Sequence, residues 1–409
     1  MFKREIYLSR IRPFYDNEQV KILMGVRRCG KTEILRMIMD ELSRTMPADR
    51  VTYLSFELLE NRPLRNPAAL HAHLQKKLAS GGPHHVLLDE IQFVEDWPEV
   101  VNSLKARHRN ASFFVTGSNS ALLDDDREGV LGGRTVSFRI MPFSFREVLA
   151  FLRERDGAAA PSPEAAFADY LVWGGFPLVF MQRTAEQRAV MLESIFDSIV
   201  LRDIVRRRRI RNSIALERVL DFVIASSSQY VSGRNIAERL EKGLNAVSLP
   251  VVLDHLSAIS ESCIASLVPR FDVIGLATLE LNNKVYACDP AFVQYKKSLV
   301  NDLLGALYET VVHNELVARG WTVRTGTARG KEIDFVATKG GDRRIYVQVA
   351  YEVNPGNERR EFGNYAAVPD NWPKFVVSRD AVPLSRNGIR HVNIIDFLLS
   401  EDLETLSAK

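Results

Sequence analysis

A chain of 409 residues exceeds what one ordinary hydrophobic core supports, since single cores stop growing at roughly 250–300 residues, so several domains are expected. Its 46% hydrophobic and 26% charged residues are those of a globular protein and exclude one dominated by disorder. With 54 Lys and Arg against 51 Asp and Glu, the net charge of +3 excludes a strong overall field for a polyanion, and any nucleic-acid surface must be local.

The opening residues, MFKREIYLSRIRPFYDN, carry early charges and no uninterrupted apolar stretch, and no run of about 18 apolar residues follows, so a cytoplasmic protein with no membrane segment is expected. Cys29, Cys263 and Cys288 form no CxxC pair or Cys/His cluster and read as reduced and incidental. From Gln19 to about Phe151, short apolar runs (VKILMG, VTYLSFE, HHVLLDE, SFFVTGS, TVSFRI) alternate with helical stretches, which predicts an α/β domain with a mostly parallel sheet over residues 1–153. ERDGAAAPSPEA then breaks the periodicity as a linker. Residues 163–228 read as a helical lid or connector, with a turn or hinge at Trp173–Pro177 where WGGFP cannot continue a helix. Two helical segments followed by two strand-like runs, over 229–298, have the order of a winged helix-turn-helix. Residues 301–409 open with an amphipathic helix and continue as strands, the pattern of a separate small α/β domain.

Within the first domain, GVRRCGKT fits G-x-x-x-x-G-K-[ST] with an apolar strand before it and a helix after it. Gly25, Val26, Arg27, Arg28, Cys29, Gly30, Lys31 and Thr32 are thus the candidate phosphate loop. Backbone N–H groups and the following helix N-terminus would face the phosphates, Lys31 would supply a full charge, and the Thr32 hydroxyl would ligate Mg²⁺. HHVLLDEIQ ends an apolar strand in two acids: Asp89 as a Mg²⁺ ligand and Glu90 as the base for an attacking water, a pairing that points to hydrolysis. The next strand ends in Thr116, Ser118 and Asn119. Asn119 is the favoured sensor of the γ-phosphate, because an amide both donates and accepts. Arg127 and Arg134 follow in an acidic stretch; either could act on a neighbouring subunit's site, or pair with Asp124–Asp126, and Arg134 is the one taken forward.

These motifs, with TGSNSALL, GGRTVSFRIMPFSFREVL, YLVWGGFP, KVYACDPAF and EIDFVA…YVQVAYEV in that order, resemble a large prokaryotic family of AAA-type ATPases. In that family a P-loop domain precedes a helical segment, a winged helix and a C-terminal domain of uncharacterised function. The resemblance implies an additional-strand P-loop fold with ATP as the nucleotide. LGGR departs from the usual Ser-Gly-Arg, although Arg134 still matches.

A DNA-reading winged helix needs Arg, Lys, Asn or Gln on its second helix, but SLPVVLDHLSAISES offers Asp254, His255 and Glu261 and no Lys or Arg. That favours packing against protein, with a protein partner or self-association expected. The strongest basic cluster is LRDIVRRRRIRN, where Arg202, Arg206 and Arg209 share a helical face with Arg207, Arg208 and Arg211 around it; DNA contact through Arg206–Arg211 is the alternative to a solvated helix end. The last hundred residues have the layout of a restriction-endonuclease-like fold: a helix bearing Glu309, a strand reaching Asp334, and then Gln348-Val349-Ala350 where a working site has E-x-K. Ala350 supplies no lysine, Lys331 is the nearest substitute, and the domain is expected to be non-catalytic.

Overall fold

The computed structural model describes residues 2–118, 131, 133–206, 208, 210, 212–240, 247–297 and 303–406. They form two compact units, Met1–Ile140 with Glu261–Cys263, and Met141–Ser260 with Ile264–Lys409.

The first unit is built on five parallel strands, β1 (Val20–Met24), β2 (Val51–Ser55), β3 (His84–Asp89), β4 (Ala111–Gly117) and β5 (Thr135–Arg139), in the order β2-β3-β4-β1-β5. β3 and β4 are buried along their whole length, so their centres, Val86–Leu88 and Phe113–Val115, are short apolar runs and not alternation. Crossover helices Lys31–Leu42, Pro67–Leu78 and Trp97–Arg107 cover the sheet. The second of these starts where Asn66 accepts the Ala69 N–H and Pro67 occupies the first helical turn. Phe56, Leu70, Leu74, Val86, Leu88, Trp97, Val101 and Phe113 fill one core. Because β4 lies between β1 and β3, as the additional-strand topology requires, the C-terminal ends of β1, β4 and β3 stand side by side.

A buried lysine sits inside this unit, away from the phosphate loop. Lys21 on β1 has no exposed surface; its ammonium donates to Asn17 O and Ser112 Oγ and lies 4.6 Å from the Phe114 ring centre. Burial, with repulsion from Lys105, pushes Lys21 down to about 7. Between pH 7 and the ordinary lysine range the unfolded chain binds the proton that the native chain lacks, so this group's contribution to stability rises with pH over that window. The stability advantage of Lys21→Met over wild type, read from urea midpoints, should therefore shrink as pH rises from 7 to 10; a difference that stays constant would contradict the shift.

In the second unit, helices Phe145–Asp156, Pro163–Trp173, Ala185–Ser198 and Ser213–Ala225 precede β6 (Tyr230–Val231), helices Gly233–Leu240 and Leu249–Glu261, and the hairpin β7 (Ala265–Asp272) and β8 (Ala277–Ala287). After helix Leu303–Ala318 come β9 (Thr322–Ala328), β10 (Lys331–Lys339), β11 (Arg343–Val349), β12 (Lys374–Ser378) and β13 (Ile389–Asn393). All eight strands form one sheet, β13-β12-β11-β10-β9-β7-β8-β6, because Arg270–Asp272 of β7 pair in parallel with Thr325–Thr327 of β9. The sheet thus runs across the boundary expected near residue 300.

The helix breaks at Trp173–Pro177 as expected, one helix ending at Trp173 and the next starting at Pro177, and the turn between them is pinned. Gly175 N–H donates to Asp289 Oδ2 at 2.8 Å, Gly175 O accepts from Phe143 N at 2.7 Å, and a Cβ on Gly175 would lie 2.0 Å from Phe143 O. The glycines here admit close backbone approach and are locked by it.

Candidate nucleotide site and a second buried cluster

The phosphate-loop residues leave β1 and enter helix Lys31–Leu42, with Gly30 at φ +100° making the turn that a side chain would strain. Val26 and Cys29 are buried, and the Cys29 thiol donates to Ile140 O, so the apolar variable positions anchor the loop to its own sheet. Arg27 pairs with Glu57 at 3.0 Å. Lys31 is 4% exposed and donates to Gly25 O at 2.9 Å and Val26 O at 3.1 Å, holding its ammonium over the loop.

Asp89, at the end of β3, is surrounded by hydroxyls. Thr32 Oγ1 lies 3.1 Å from both carboxylate oxygens, Thr116 Oγ1 donates at 2.7 Å, Tyr53 OH at 3.2 Å and Ser55 Oγ at 3.3 Å. Glu90 has φ +56°, a conformation that costs a non-glycine residue of order 1–3 kcal/mol and is retained where the surroundings enforce it. Its N–H donates to Thr116 Oγ1 at 2.9 Å, and its carboxylate accepts from the Gln92 amide. Burial raises the Glu90 carboxyl above its ordinary value, partly offset by Lys31. Thr116 therefore ties both acids together.

Of the other residues singled out in the sequence, Asn119 and Arg127 lie outside the described residues. Arg134 is exposed just before β5, and its carbonyl accepts from Val20 N. Two groups gave no motif to find them by. Arg4 is 1% exposed and donates to Cys29 O at 2.7 Å, bracing the loop from 25 residues upstream. The Tyr53 and Ser55 hydroxyls reach Asp89 only because β2 pairs with β3.

In the basic segment, Ile199–Arg206 is π-helical. Arg206 and Arg208 are exposed, and Arg208 reaches Ser257 at 3.4 Å and Asp254 at 3.9 Å on helix Leu249–Glu261. Arg207, Arg209 and Arg211 lie outside the described residues, as does the side chain of Arg202.

The C-terminal carboxylates are brought together, with a lysine that was not anticipated. Lys284 of β8 is 3% exposed; its ammonium lies 2.7 Å from Glu332, 2.9 Å from Glu309 and 3.1 Å from Asp334. A register shift between Ile333 and Val336 in the β9–β10 ladder falls at Asp334, whose Oδ2 accepts from Val349 N at 2.9 Å. Gln348 Oε1 faces Asp334 N at 3.4 Å, and Tyr286 OH donates to Glu309 at 3.1 Å. Burial, with Asp334 nearby, pushes Glu309 up to about 8 against the pull of Lys284. Lys331 does not stand in for the missing lysine: its side chain is exposed and bonds Gly363 O at 3.0 Å. Ala350 is buried and inert.

A parallel sheet with β4 inserted beside β1, a glycine-bounded loop leading into a helix, and paired acids on the adjoining strand define a P-loop domain of the AAA class, an ATP-binding fold. Residues 17–149 match the family model described as AAA domain, and residues 164–302 match one described as Domain of unknown function (DUF8612). The chain is 30% identical over 403 residues to an uncharacterized protein of Haemophilus influenzae, covering 98% of this chain and 99% of that one, and it belongs to the family of that protein. It is also 26% identical over 393 residues to an uncharacterized protein of Methanocaldococcus jannaschii, covering 92% of this chain and 85% of the relative. Among solved structures it is similar to Cdc6p from Pyrobaculum aerophilum (12% identity, TM-score 0.32, 76% of this chain and 95% of that one). It is likewise similar to AMPPCP-bound DnaA from Aquifex aeolicus (15% identity, TM-score 0.31, 62% and 84%). No helix among the described residues is long and apolar enough to cross a membrane.

Proposed function

We propose that this protein hydrolyses ATP with Mg²⁺ and uses the cycle as a switch or motor on a macromolecular partner. The observation that carries the reading is the Thr32–Asp89–Thr116–Glu90 arrangement, in which a hydroxyl and a carboxylate face each other beside a second, buried acid. Hydroxyl and carboxylate oxygens are the donors a hard divalent cation takes, so Thr32 and Asp89 fit Mg²⁺. When bound there, Mg²⁺ would neutralise phosphate charge. Gly25–Thr32 supply the loop that takes the phosphates, Lys31 adds its charge on the loop's inner side, and Glu90 accepts a proton from the attacking water. Asn119 remains the candidate γ-phosphate sensor. Arg134, exposed ahead of β5, is the candidate to reach a neighbouring copy's phosphates. The test is ATP hydrolysis by the purified chain and its response to Glu90→Gln.

In this reading residues 163–228 serve as the helical lid and 229–298 as a winged helix, whose order of helices and hairpin matches that motif. Residues 301–409 form a restriction-endonuclease-like domain without nuclease chemistry. DNA contact through Arg206–Arg211 is the weaker alternative, because Arg208 already faces Asp254 on the helix that would have to read bases.

A further inference from the structure

We propose that the ammonium of Lys284 is a tethered cation that fills, and keeps closed, a divalent-cation site formed by Glu309, Asp334 and Glu332. The three acids come from a helix and from β10, and the lysine from β8, so the cluster is assembled by the sheet and not by any local segment. Lys284 has three N–H donors and spends them on three carboxylates, at 2.7 to 3.1 Å. Those are ammonium-to-oxygen separations; Mg²⁺ would draw the same oxygens to about 2.0–2.1 Å. The donor set is all oxygen, the kind a hard cation takes, yet among the described residues no group of His, Cys, Asp or Glu is arranged to hold a metal ion. The carboxylates have converged on the lysine.

A second observation shows that the cluster carries more acceptor capacity than the lysine satisfies. Glu361 has no exposed surface; its carboxyl takes the Arg360 guanidinium and the Gln348 side chain and adds a further acid within electrostatic reach of Asp334. The acids border a cavity of about 470 Å³ lined also by Tyr230, Gln348 and Arg360, which leaves room for an ion and its waters once the ammonium is gone. A divalent fold-associated metal therefore does not fit the wild-type site, and the misfit comes from one side chain.

The experiment is equilibrium dialysis of the nucleotide-free full chain against Mn²⁺, alongside thermal unfolding with and without Mn²⁺. Lys284→Met should hold one more Mn²⁺ per chain than wild type and gain more in melting temperature from the ion; adding Asp334→Asn should abolish both differences. Because removing the lysine leaves its carboxylates unneutralised, Lys284→Met with Glu332→Gln restores the original charge at the cost of one ligand, and it is expected to hold the extra Mn²⁺ more weakly than Lys284→Met but still above wild type. The proposal is overturned if neither lysine variant binds more Mn²⁺ than wild type, or if wild type already holds an ion that Asp334→Asn removes.

Discussion

Glu90→Gln is expected to lower ATP turnover by about 10²–10⁴-fold, the range for loss of a positioned general base, while ATP affinity stays within a few-fold of wild type. Glutamine has the shape of glutamate and offers an oxygen to the Gln92 amide, so the buried pocket and the backbone contact to Thr116 survive. What disappears is the ability to accept a proton. The wild-type rate should climb as pH rises through the Glu90 pKa, which burial has raised, so that limb lies above the range of an exposed carboxylate. The variant should lack the limb. Steady-state hydrolysis across pH, with nucleotide binding followed separately, decides the matter; equal turnover in both proteins would remove Glu90 from the mechanism.

Gly175→Ala should destabilise the second unit by about 3 kcal/mol, at the upper end for overpacking and backbone strain. The new methyl would sit 2.0 Å from Phe143 O, a backbone atom that cannot rotate aside. Relief would require moving Gly175 away from Phe143 and Asp289, giving up a backbone bond and a charge-assisted one at 2.7 and 2.8 Å. Urea unfolding should show a lower midpoint for Gly175→Ala with ATP binding at the first unit retained. If the midpoint is unchanged, the segment is as pliable as its Gly-Gly-Phe-Pro composition suggests.

That contrast marks where the sequence could and could not be read. The parallel sheet of the first unit was legible because its strands centre on short apolar stretches alternating with helices, and the loop because phosphate chemistry demands glycines and a lysine at fixed spacing. The break at WGGFP was legible, but its tight contacts were not, because a glycine chosen for close approach and one chosen for freedom are the same letter. Lys284 was missed for a different reason: the E-x-K expectation looks for the lysine two residues along one strand, whereas here it arrives from 50 residues before Asp334 through the β8-β7-β9-β10 order. Long-range pairing also supplies Tyr53 and Ser55 to Asp89 and Arg4 to the loop, none of which follows from spacing. Asp334 itself was legible at a strand position, but the local shift in the ladder that accompanies it was not.

The pairing of Arg270–Asp272 with Thr325–Thr327 has a practical corollary. A proteolytic cut near residue 300, or a truncation planned there on the strength of the motif order, would divide one sheet between two fragments. Each would present a bare strand edge, β7 on one and β9 on the other, with N–H and C=O groups in search of a partner. Such pieces would be prone to self-association, and insolubility of either half would say nothing about the health of the intact chain.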